Sequence, residues 1–266
     1  MFFLNNLQKL VSELGTEVLY SLKSEGELLS LNQLIGKQIS ISFSGRINCI
    51  HCGRSTRKSY GQGFCFPCFQ TVPEADITVV KPELDQSHLG IARDLEWAKQ
   101  HNLIDHYVYL ANTSDLKVGI TRHTQIPTRW VDQGAVQAVR IAKVPYRQMS
   151  GLIEVELKNH FADKTNWRKM LTTKVNTEIN LLEAKIKAQN ILKGKFSEYL
   201  IDDEICDINY PVLEYPEKVK SLSLDKNPEF NGQLIGIKGQ YLIFKDGTVF
   251  NVRKHNGYHI KIEVAN

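Results

Sequence analysis

The sequence predicts an α+β protein in three consecutive parts, and three observations carry that prediction. Strand-like alternation runs into two Cys-x-x-Cys pairs early in the chain. The middle then mixes strand-like stretches with helix-like ones. The tail returns to alternation around Asp246-Gly247, a strong hairpin signal. The expected boundaries are 1–105 for an N-terminal β segment with the cysteine-rich unit, 106–205 for a central α/β domain with its C-terminal helix, and 206–266 for a linker and small β unit.

With 266 residues the chain can bury the cores of more than one folding unit. A hydrophobic share of 42% belongs to a globular protein and excludes a disordered one. No apolar run approaches the roughly 20 residues of a membrane helix, so no membrane partner is expected. Met1-Phe2-Phe3-Leu4 lacks a basic stretch followed by a long apolar one, so no secretory signal is expected. Cys206 is left over beside a metal-type quartet, which fits a reducing cytoplasm better than a disulfide framework.

Residues 1 to about 35 read as a short helical or irregular lead-in. From Lys37 to Arg46, Ile39, Ile41 and Phe43 alternate with Gln38, Ser40 and Ser42, as in a half-buried strand. It feeds the pairs Cys49/Cys52 and Cys65/Cys68, which are separated by twelve residues. Each pair turns two thiolates inward, and together they supply the tetrahedral sulfur cage of a structural zinc ion. Gly53 suits a tight knuckle, and Gly61 and Gly63 a hairpin between the pairs. A redox dithiol would have one pair in a βαβ setting, and an iron–sulfur cluster a different ligand spacing. A zinc-ribbon segment is therefore expected, closed and structural.

Pro73 and Pro82 punctuate the next stretch, with a short extended piece at Ile77, Val79 and Val80 and a brief helix over Ala92–Gln100. Tyr107–Ala111 and Leu116–Thr121 flank the turn Asn112-Thr113-Ser114-Asp115, a hairpin. Pro127 suits the first turn of a helix that Gly134 stops. Ala138–Val144 reads as a third strand. Pro145 then opens a helix with the stripe Met149, Ile153, Leu157 and Phe161. A longer helix over about 176–200 carries Ile179, Leu182, Ile186, Ala188, Leu192 and Phe196. In the tail, Gln240–Phe244 and Thr248–Arg253 form a hairpin, and Tyr258–Val264 adds a strand. An echo between Leu31-Asn32-Gln33-Leu34-Ile35-Gly36 and Gln233-Leu234-Ile235-Gly236 suggests that the two β segments share one sheet.

The order hairpin, helix, strand, helix over residues 107–170 resembles the GIY-YIG nuclease-like fold. Tyr107-Val108-Tyr109 stands at the first tripeptide and Lys117-Val118-Gly119 at the second. Arg129 matches the helical arginine, Glu154 the metal-binding glutamate and Asn166 the late asparagine. The chain as a whole is similar to an uncharacterised bacterial family that joins a zinc-ribbon segment to such a domain. Tyr109-Leu110-Ala111-Asn112, Lys117-Val118-Gly119-Ile120-Thr121-Arg122, Pro127-Thr128-Arg129-Trp130 and Thr165-Asn166-Trp167-Arg168 carry that likeness. The resemblance implies a nucleic-acid-binding protein and a divalent-metal-dependent endonuclease. Glu154 would hold a magnesium or manganese ion, Arg129 would clamp the phosphate and Tyr109 would handle the proton. Lys117 replaces the usual second tyrosine, as a phosphate ligand, a base or a mark of lost activity.

A net charge of +4 is too mild to identify a partner, but its distribution points to a polyanion, DNA or RNA. Arg46, Arg54, Arg57 and Lys58 surround the cysteines, and Arg122, Arg129, Arg140, Lys143 and Arg147 crowd the centre. Arg122, Arg129, Trp130 and Arg147 are the candidate nucleic-acid contacts. Bland readings stand beside each: Tyr109 as a core residue, Glu154 as a solvated helix residue, Asn166 as a helix cap and Trp130 as packing. A non-catalytic nucleic-acid or ribosome-binding module, a nucleic-acid-modifying enzyme and a protein scaffold are the alternatives.

Overall fold

The computed structural model describes residues 2–4, 6–24, 27–172 and 178–264. Among the described residues up to Ser30 there are four strands, in place of the helical or irregular lead-in expected: β1 (Phe2–Leu4), β2 (Val11–Glu13), β3 (Leu19–Ser24) and β4 (Glu27–Ser30). Val18, Tyr20 and Leu22 are buried, whereas Leu19 and Lys23 are exposed, which is the period of two that a strand imposes. Strands β2, β3 and β4 make a small antiparallel sheet. The expected strand is present as β5 (Gln38–Ile47), with Ile39 and Ile41 buried. After the second cysteine pair comes the short helix α1 (Phe66–Thr71).

Residues 73–89 contain four 3-10 turns, one of which, Ile77–Val79, replaces the extended piece expected there. Asp76 decides the difference. Its carboxylate accepts from the Thr78 backbone N–H at 2.9 Å and from the Thr78 hydroxyl at 2.8 Å, capping the turn. Helix α2 (Leu95–His101) follows, capped by Asp94, which accepts from the Trp97 N–H at 2.9 Å.

The central elements appear in the expected order. Strands β6 (His106–Asn112) and β7 (Leu116–Arg122) form the hairpin, then come α3 (Thr128–Asp132), β8 (Gln137–Val144) and α4 (Arg147–Leu157). Gly134, at φ 71°, ends the α3 turn. Helices α5 (Trp167–Thr172) and α6 (Leu181–Leu192) and the short β9 (Cys206–Asp207) complete the unit. The sheet order is β7-β6-β8-β9, antiparallel throughout. Ile153, Leu157 and Phe161 of the expected stripe are buried, and Met149 packs beside them. In α6 the buried face is Leu181, Ala184, Ala188 and Leu192, whereas Leu182 and Ile186 of the expected stripe are exposed. Residues 176 and 177, the expected start of that helix, lie outside the described residues.

The tail supplies β10 (Lys220–Ser221), β11 (Glu229–Lys238), β12 (Tyr241–Phe244), β13 (Thr248–Asn251) and β14 (Tyr258–Val264). These strands do not stand apart. They join the N-terminal ones in a seven-stranded sheet of order β1-β14-β5-β11-β12-β13-β10. Antiparallel registers place Gln38 opposite Gln233 and Ile41 opposite Ile262, so the N- and C-terminal β segments share a sheet, although Leu31–Gly36 itself lies outside it around a 3-10 turn at Asn32–Leu34. The chain divides into two compact units, Met1–Gln70 with Leu171–Lys174 and Asn209–Asn266, and Thr71–Met170 with Val175–Ile208. The architecture is α+β. Among the described residues no helix is long and apolar enough to cross a membrane.

Candidate metal centre and candidate nucleic-acid interface

The four thiols predicted to hold a metal come together. Their sulfurs lie within 4.8 Å of one another, and the Cys52 and Cys65 sulfurs are 3.8 Å apart. Four sulfurs held about 2.3 Å from one tetrahedral centre would be separated by about 3.8 Å, so the cage fits a four-coordinate ion. Among the described residues this is the one group of three or more His, Cys, Asp or Glu side chains with such geometry. The first knuckle closes through Cys49 N–H to Arg54 O at 2.8 Å and Gly53 N–H to Cys49 O at 2.9 Å, with Gly53 at φ 71°. Tyr60 and Phe64 exchange two backbone bonds of 2.9 Å around Gly61 and Gly63. A Cβ on Gly63 would lie 2.8 Å from the Ile50 side chain, which explains a glycine there.

The thiols differ in acidity. Burial works against the Cys49 thiolate, but backbone N–H groups of Cys52, Cys65 and His51 outweigh it and lower its pKa to about 6. Cys68 is pushed up to about 12 by burial, by hydrogen bonds with the other three thiols and by the charge on Cys49. A divalent cation is the partner that lets all four ionise together.

In the central unit, strand register brings Tyr109 opposite Gly119 and Lys117 opposite Ala111. Tyr109 is fully buried, and its hydroxyl donates to Gln133 Oε1 at 3.0 Å. Burial raises its pKa, against the pull of the Arg129 guanidinium. Lys117 is buried too. Burial first, and then Arg129, lower its pKa to about 8, while Glu154 and Asp163 oppose the shift. Glu154 projects from α4 into the same place, its pKa raised by burial and restrained by Lys158 and Lys117. Its Oε2 lies 3.3 Å from Lys158 Nζ, and Asp163 lies 3.9 Å from the same ammonium. Tyr109, Lys117, Arg129 and Glu154 are thus one electrostatic cluster.

The other candidates have different surroundings. Asn166 caps α5, its Oδ1 accepting from the Lys169 N–H at 3.3 Å. Trp130 is buried edge-on to Tyr109, ring centroids 6.2 Å apart, so it packs and offers no face to a base. Arg147 is not a free phosphate contact: it donates to the Thr78 carbonyl at 3.2 Å and the Val79 carbonyl at 2.9 Å, pinning the 3-10 segment to α4. Arg140 is paired with Asp203 and lies over the Tyr107 ring, and Lys143 pairs with Asp105 at 2.7 Å. Arg122 is half-buried, and burial lowers its pKa. Gln133, Lys158 and Asp163 were missed in the sequence. The Glu154–Lys158 spacing of four on one helix was the available signal for the second of them.

The carboxylate that would hold magnesium or manganese already has Lys158 as its countercharge, and the surrounding groups are mainly cationic. A family model described as "Protein of unknown function (DUF2797)" matches residues 36–260. No curated protein and no solved structure matches the chain.

Proposed function

We propose that this chain, which belongs to the DUF2797 family, is a zinc-containing nucleic-acid-binding protein whose central domain is GIY-YIG-like. The observation that carries the reading is the gathering of Lys117, Arg129 and Lys158 around Tyr109 and Glu154. Partly desolvated cations of this kind attract a phosphodiester more strongly than solvated surface lysines do. The Arg129 guanidinium would clamp a phosphate oxygen, with Lys117 behind it as a second positive group. Zinc is favoured for the cysteine cage because an all-thiolate tetrahedron suits that ion and leaves no open position for chemistry.

A second reading, a divalent-metal-dependent endonuclease, is favoured by the approach of Tyr109, Arg129 and Glu154. It requires an ion to displace Lys158 from Glu154, which is why binding without cleavage is preferred. Strand breakage separates the two. Labelled DNA and RNA are incubated with wild type and Glu154→Ala, with and without magnesium or manganese. Binding without breakage is expected; metal-dependent breakage that vanishes in Glu154→Ala would establish the endonuclease instead.

A further inference from the structure

A second cationic surface lies in the other unit, in a cleft of about 590 Å³. Arg57 and Lys58 line one side of it and Arg253 and Lys254 another, with Asp225 the only carboxylate among the described residues of the lining. Both oxygens of Asp225 lie 3.1 Å from the Tyr258 hydroxyl, which donates to them. Four cations against one engaged carboxylate leave a strong positive excess, and a volume in the few-hundred Å³ range suits a small organic anion. Ser59 and Gln62 add polar groups to the lining. The Ser59 Oγ is itself buried and has no hydrogen-bond partner.

The cleft is framed by ordered turns. The loop between the cysteine pairs is held by Thr56, whose hydroxyl donates to the Lys58 carbonyl at 3.0 Å and whose N–H reaches the Ile47 carbonyl at 2.9 Å. On the facing side Arg253 and Lys254 belong to a 3-10 turn, Arg253–His255, that follows β13. Asn251 caps it, its Oδ1 accepting from the Lys254 N–H at 3.0 Å. Asn256 Nδ2 donates to the Gln62 carbonyl at 3.0 Å, and Asn48 N–H to the Gly257 carbonyl at 2.8 Å, so the two sides are bonded together. A Cβ on Gly257 would come within 2.3 Å of the Asn48 carbonyl oxygen, and only glycine permits that closeness. The metal cage therefore sets the position of half the cleft.

We infer that this cleft binds the phosphate of a nucleotide, presented either free or within a strand. The two sources share one chemistry, a phosphate carried on a sugar and base, and the cleft has room for more than the anion alone. The site is separate from the central cluster, and its variants are separate too.

The test is fluorescence anisotropy of the full chain with a labelled single-stranded hexanucleotide, challenged with unlabelled hexanucleotide and with a 5′-mononucleotide. The double variant Arg57→Ala/Lys254→Ala changes two exposed side chains, and its melting midpoint and metal content verify the fold. It is expected to bind at least tenfold more weakly, with a shallower salt dependence. Competition by the mononucleotide at comparable concentration assigns a free nucleotide; competition by the hexanucleotide alone assigns a strand. Unchanged affinity in the double variant, or no binding of either probe by wild type, overturns the inference. Arg129→Ala, run alongside, reports on the central cluster, so the failure of one site is distinguishable from the failure of the other.

Discussion

The Tyr109 hydroxyl occupies the space that a side chain on Gly119 would need: a Cβ at that position would stand 2.6 Å from the oxygen. The two residues face each other across the β6–β7 hairpin. This juxtaposition gives the glycine of the second tripeptide a packing role independent of any chemistry. Gly119→Ala should lower stability by about 1–3 kcal/mol through overpacking. Tyr109→Phe should relieve part of that cost, so the two changes will be non-additive in a denaturant series. Additive effects would show that the ring moves aside.

Lys117 should make stability depend on alkaline pH. Its folded pKa, about 8, is below the ordinary lysine value, so the folded state holds this proton less tightly than the unfolded one. The contribution is fully present above the unfolded pKa and is lost as pH falls from about 10.5 through about 8. Lys117→Met should therefore be more stable at neutral pH, by on the order of 3 kcal/mol, and should flatten that limb of the curve. Urea midpoints at several pH values check this. An equally steep limb in the variant would mean that another group carries it.

Arg147 is a structural tie. Arg147→Ala removes the donors to the Thr78 and Val79 carbonyls and should cost about 1–3 kcal/mol, concentrated in the 73–91 segment. Hydrogen exchange should quicken there before it does in β6 or β8. Uniform loss of protection would contradict a local role.

The cysteine cage should be worth more to the fold than any surface interaction. Cys49→Ser removes a fully buried ligand and should abolish stoichiometric metal binding while lowering the melting midpoint sharply. A chelator should reproduce the effect in the wild type. Metal analysis with paired thermal melts decides it, and an unchanged melt after metal loss would refute the structural role.

Much of this was legible in the sequence because the signals were local. Cys-x-x-Cys pairs and their glycines announce the cage, and Asp246-Gly247 announces the β12–β13 hairpin. The stripe Met149, Ile153 and Leu157 announces the face of α4 that packs on the core. Other features are set by distant partners. Three-residue strands such as β1 and β2 carry too few residues for a period to stand out. The pairing of β5 with β14, more than two hundred residues away, had no local signature beyond alternation. Arg147 reads as a free cation until the carbonyls of Thr78 and Val79 are placed beside it.

Titration of labelled single- and double-stranded DNA and RNA with wild type and Arg129→Ala, across a range of salt, tests the central claim most directly. Binding should weaken steeply with salt, and Arg129→Ala should bind about tenfold less tightly at every salt concentration. Absent or salt-insensitive binding to all four, or equal affinity in the variant, would contradict the assignment of the central cluster to nucleic acid.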